Sequence, residues 1–157
     1  MIILGIDPGT AITGFGFLKK IGKNKLELID YGCIKTSKDL STAERLKKLN
    51  KDLGSLIKKN KPDTIAVEDI FFFKNLKTAI KVSQARGVIL LTASKHNCRI
   101  EEYTPLQVKQ AVACYGRADK KQVQEMVKTI LNLKEIPKPD DAADALATAI
   151  CCAHSIK

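Results

Sequence analysis

The chain has 157 residues, 45% hydrophobic and 28% charged, values ordinary for one globular domain with a single core. Its 27 Lys and Arg against 17 Asp and Glu give a net charge of +10, a positive field that draws polyanions, nucleic acid foremost. No stretch approaches the roughly 20 apolar residues of a membrane span, and the N-terminus lacks a signal-peptide pattern. The five cysteines, Cys33, Cys98, Cys114, Cys151 and Cys152, fall at no metal-ligand spacing, so a cytoplasmic protein with reduced thiols and no structural zinc is expected.

Taken in chain order, residues 1–7 are almost all apolar and predict a strand covered on both faces. Pro8, Gly9 and Thr10 make a turn; a second strand starts over 14–18, residues 20–25 turn again, and 26–36 form a third strand. Turns this short imply an antiparallel meander. Residues 42–59 have a helical period, with Leu46, Leu49, Leu53, Leu56 and Ile57 on one stripe and Ser41 or Thr42 as cap. Strands at 64–68 and 99–103 bracket a helix over 76–95, and helices over 106–114, 120–131 and 140–155 close the chain. The order predicts one α/β domain spanning 1–157, a mixed five-stranded sheet with helices on both faces.

The acids sit where apolar elements end. Asp7 closes the first strand and Glu68 the fourth, each carried straight out of a buried run. A carboxylate so placed needs a cation or hydrogen-bond donors. Asp141 and Asp144, three residues apart, share one face of the last helix and repel unless something positive lies between them. A divalent metal satisfies all four together. Each acid also has a plainer reading, as a turn residue or, for Asp141, a first-turn acid favoured by the helix dipole. Asp144, a full turn into a helix of small apolar residues, is the one that those readings do not explain. Asp140 reads as an N-cap, and Asp69 points to the opposite side of its strand from Glu68. Oxygen-only ligation favours Mg²⁺, with Mn²⁺ as substitute, and two ions roughly 4 Å apart would bracket a scissile phosphate.

The blocks GIDPGTAITGFG, VEDIFFFKN, QARG, YTPLQVKQAV and DDAADALA, in this order and spacing, resemble the RuvC family of Holliday-junction resolvases over nearly the whole chain. The resemblance implies a ribonuclease H-like fold and a homodimer that nicks four-way DNA junctions symmetrically, leaving 5′-phosphate and 3′-hydroxyl ends. It puts Asp7, Glu68, Asp141 and Asp144 on the family's catalytic positions, in agreement with the choice made from the residues. It further implies that Phe71 stacks on an unpaired base, with core packing as the plainer alternative. Lys109 and Lys120 fall on lysines needed for cleavage, though in isolation each reads as a solvated side chain. Arg86 is either a junction contact or a helix-surface salt bridge. A RuvA–RuvB branch-migration complex is implied as a partner. Neither the added acid Asp140 nor the pair Cys151 and Cys152 receives a role.

Three other readings compete. The opening block also resembles the first phosphate loop of the sugar kinase, actin and heat-shock ATPase superfamily, but no second phosphate loop or adenosine motif follows. The small YqgF-type relatives linked to RNA processing share the first strand and its Asp without the later blocks. A non-catalytic module recognising junction shape is the third. The helix over 76–95 has apolar residues on more than one face, which fits either burial within one chain or packing on a partner.

Overall fold

The computed structural model describes residues 1–22, 25–69 and 76–156. Its elements run β1 (Ile2–Asp7), β2 (Ile12–Ile21), β3 (Lys25–Lys35), α1 (Thr42–Asn60), β4 (Thr64–Glu68), α2 (Leu76–Lys95), β5 (Arg99–Tyr103), α3 (Pro105–Ala113), α4 (Lys120–Ile130) and α5 (Asp140–Ser155). The five strands lie in the order β3-β2-β1-β4-β5. The meander β1–β2–β3 is antiparallel, whereas β4 and β5 add in parallel to the other edge of β1. This is the mixed five-stranded sheet expected from the sequence.

Period-two alternation sends the central strands' side chains to two separate cores. Ile3 and Ala66 face a cluster with Val108, Val123, Val127, Leu146 and Ile150 from α3, α4 and α5. Leu4, Ile6, Ile65 and Val67 face a second cluster with Leu49, Leu53 and Ile57 of α1 and Ala85, Ile89 and Ala93 of α2. The apolar stripe of α1 is therefore its packing face. Ser41 caps this helix in a reciprocal box with Glu44, the Ser41 amide donating to Oε2 at 2.8 Å and the Glu44 amide to Oγ at 3.3 Å. No helix among the described residues is long and apolar enough to cross a membrane.

Several element ends differ from expectation by a residue or more, and so does one cap. β2 is longer at both ends than residues 14–18, because it pairs with β1 from Gly14 to Lys19 and with β3 from Ile12 to Ile21. Ladder bonds on both edges hold even its polar end, Lys19 and Lys20, in the sheet. α3 begins at Pro105 rather than 106, since proline's fixed φ suits the first helical position behind the Thr104 cap. Asp140 is not the N-cap of α5: Pro139 takes that extended position, no side chain caps it, and Asp140 is the first helical residue.

Candidate active site

The parity of β1 and β4 decides where Asp7 and Glu68 point. Asp7 continues the set Ile3 and Gly5, and Glu68 continues Ala66, so both carboxylates emerge on the α5 side of the sheet. They stand next to each other in register, one residue beyond the parallel pair Ile6 and Val67. Asp69 falls on the other side.

α5 comes unusually near the sheet because glycine leaves room for it. A Cβ on Gly5 would lie 2.1 Å from the carbonyl oxygen of Ala145, and one on Gly14 would lie 1.9 Å from that of Asp141. The run of alanines on α5 completes the close fit, with residues 142 and 143 and 145–153 buried. The helix is thereby laid across β1 and β2 with its first turns beside the end of β1. Asp141 and Asp144 are carried on those turns. Asp144 shares a recess of about 250 Å³ with Glu68, Lys109 of α3 and Lys120 of α4.

The electrostatics register this convergence. Burial pushes the Asp7 carboxyl up to about 8, and repulsion from Glu68, Asp144 and Asp141 adds to it against the pull of Lys120. Glu68 is raised to about 7 by burial and by Asp144, with Lys109 and Lys120 opposing. Burial also raises Asp144 although Lys120 donates to it. The Lys120 ammonium lies 2.9 Å from Asp144 Oδ2 and 3.4 Å from Asp140 Oδ2. Burial works against its charge, but these two acids outweigh it and hold Lys120 protonated above the usual lysine range.

Among the described residues no group of three His, Cys, Asp or Glu side chains already closes round a metal-sized point. Lys120 draws Asp144 to itself. The donor set nevertheless fits a hard divalent cation: it is oxygen-only and acidic, and Asp7 and Glu68 are raised first by burial and then by neighbouring acids, both of which a bound cation would offset.

The remaining predicted residues are distributed differently. Lys109 lines the recess beside Glu68. Arg86 on α2 is engaged on the opposite face, its Nη2 lying 3.3 Å from Asp69 and also paired with Glu102. Of its two readings the structure contains the salt bridge. Phe71 lies outside the described residues. Cys151 and Cys152 are buried in α5, which pushes both thiols up to about 11 and makes them packing groups. Arg45 and Lys81, which sequence reasoning did not single out among 27 cations, line a second cleft that reaches Asp141. No local pattern distinguishes them; only the packing of α1 and α2 brings them together.

A sheet ordered 3-2-1-4-5 with its first three strands antiparallel, crossed by a C-terminal helix and acidic at one edge, defines the ribonuclease H-like class. A family model described as crossover junction endodeoxyribonuclease RuvC matches residues 3–152. The chain is 59% identical over 157 residues to the protein so named from Halothermothrix orenii, covering 100% of this chain and 94% of that one. It superposes on the Thermus thermophilus RuvC structure with a TM-score of 0.91 at 37% identity, covering 98% of this chain and 94% of that one. For T. thermophilus RuvC in complex with Holliday junction substrate the TM-score is 0.89 at 35% identity, with the same coverages. The chain belongs to the crossover junction endodeoxyribonuclease RuvC family.

Proposed function

We infer that the protein is an endodeoxyribonuclease that resolves four-way DNA junctions by paired nicks, acting in recombination and repair. The observation that carries this reading furthest is the meeting of Asp7 and Glu68, at the ends of β1 and β4, with Asp141 and Asp144 on the first turns of α5, in a chain with net charge +10. A relative of this fold, with 35% identity, is known in complex with Holliday junction substrate.

The family is metal-dependent, and Asp7, Glu68, Asp141 and Asp144 are the residues that would hold the metal, two Mg²⁺ ions with Mn²⁺ as substitute. Held by these acids, the metal would supply a water of lowered pKa and charge stabilisation at the leaving oxygen. Water oxygen attacks phosphorus, the bond to the 3′ oxygen breaks, and a 5′-phosphate and a 3′-hydroxyl result. Lys109 and Lys120 bind the phosphate next to Glu68, and Lys120 has Asp140 as a second partner beside Asp144. Phe71 stacks on a base exposed at the junction. Arg86, already paired, secures α2 to β5.

Two cuts in opposed strands call for two sites with matching symmetry, hence a C2 homodimer. The face of α2 that carries Ile80, 55% exposed, and Leu91, 53% exposed, supports this. Gly87 between them has no atom within 4 Å of where a Cβ would stand, so a second helix can approach closely. The protein works in the cytoplasm, on junctions handed over by the RuvA–RuvB motor.

Junction cleavage with Mg²⁺ tests the reading. Asp7→Asn is expected to lower the cleavage rate by about a hundredfold or more while junction binding persists. Equal cutting by variant and wild type, or preference of the wild type for structured RNA over junction DNA, overturns it.

A further inference from the structure

The acidic edge has a basic cleft on each side, and only one of them belongs to the machinery described so far. On the α5 side lie Lys109 and Lys120. On the α1 and α2 side, a cleft of about 480 Å³ is lined by Gly9, Thr10, Arg45, Thr78, Lys81 and Asp141, among others. Asp141 is thus shared between this cleft and the acid cluster.

The cleft is built rather than incidental. Its floor is the β1–β2 turn, which three bonds hold in place. Thr13 Oγ1 donates to Gly9 O at 2.6 Å, Thr36 Oγ1 to Thr10 O at 2.7 Å, and the Thr36 amide to Ala11 O at 3.0 Å. Gly9 admits no side chain, because a Cβ there would lie 2.0 Å from Ile12 O. The Arg45 Nε donates to Leu40 O at 3.3 Å, which fixes the guanidinium while using one of its five N–H donors. Neither Arg45 nor Lys81 is in an ion pair with an acid among the described residues, in contrast to Arg86, which has two. Two uncompensated cations beside one acid, on a rigid turn, suit a polyanion.

We propose that this cleft is a second backbone subsite, in which Arg45 and Lys81 hold phosphates of the cut strand on the flank opposite Lys109 and Lys120. The strand then crosses the sheet edge from one pair of cations to the other, and the phosphate above Asp7 is fixed from both sides. The proposal rests on the junction-cleaving reading and adds the strand's path to it.

The test is the salt dependence of junction binding, measured in Ca²⁺ to suppress cutting, for wild type, Lys81→Gln and the double variant Arg45→Gln/Lys81→Gln. Each neutralised phosphate contributes about 0.9 to the slope of log K against log salt. The double variant should be shallower than wild type by at least about 1, with Lys81→Gln intermediate and Arg45→Lys/Lys81→Arg restored to the wild-type slope. Lys58→Gln/Lys59→Gln, with the same charge change at the far end of α1 and roughly 20 Å from Arg45, should keep the full slope. Because Arg45 also holds Leu40, the single Lys81→Gln variant serves as the arm that leaves α1 untouched. Wild-type slopes in both Gln variants, or equal flattening in the control, overturn the subsite. If wild type fails to cut junctions in Mg²⁺, the underlying reading fails instead.

Discussion

Asp7 and Glu68 are carboxylates whose proton affinity has been moved towards neutrality, to about 8 and about 7, chiefly by burial and then by neighbouring acids. In an unfolded chain both titrate near 4. The folded state therefore binds their protons more tightly, and its stability falls as pH rises between these limits. In chelator this contribution is whole below about pH 4 and is progressively lost up to about pH 8. Asp7→Asn removes the largest part, so denaturant unfolding at pH 5 and pH 8 should show a flatter pH dependence in the variant. Magnesium at pH 8 should restore the stability of the wild type. Identical pH dependence in the two proteins contradicts the raised proton affinity of Asp7. At this scale the placement of the four acids, two at strand ends and two on one helix face, could be read before any coordinates, since strand alternation and the three-residue helical spacing are both local. Asp140 could not: its neighbour Lys120 comes from another helix, and Pro139 displaces it from the cap. Arg45 and Lys81 stayed hidden for the same reason.

Elements bring the acids together, and the approach of α5 to the sheet is the decisive one. Gly5 faces the carbonyl of Ala145 and the amide of Ala149, with would-be Cβ distances of 2.1 and 2.6 Å, and both obstacles are backbone. Gly5→Ala should therefore cost about 3 kcal/mol or more, at or beyond the upper end for overpacking, and should weaken cleavage as well. Denaturant midpoints measure the first effect; an unchanged midpoint contradicts the packing. The far end of α5 is tied down by Lys20, whose ammonium donates to Ala153 O at 2.7 Å and Ile156 O at 2.5 Å. The existence and type of these elements follow from periodicity. Their ends do not, because ladder pairing extends β2 and proline geometry sets the start of α3, and each of these depends on neighbours.

For the whole molecule, the charge surplus, the two basic flanks and the open face of α2 are the features on which the proposed symmetric pair and its grip on a branched polyanion rest. Sedimentation at increasing concentration should show a dimer, and a charged residue at Leu91 should shift it to monomer without unfolding it. A wild type that stays monomeric on and off DNA contradicts the paired-cut account. The fold class could be read from element order alone, whereas sheet order and the second cleft required the assembled chain. The shared-cation claim is tested most directly by crystals soaked in Mn²⁺ and measured for anomalous scattering. The account predicts peaks bonded to oxygens of Asp7, Glu68 and at least one of Asp141 and Asp144, lost in Asp7→Asn. Saturating Mn²⁺ that supports cleavage but leaves no peak among these acids contradicts it.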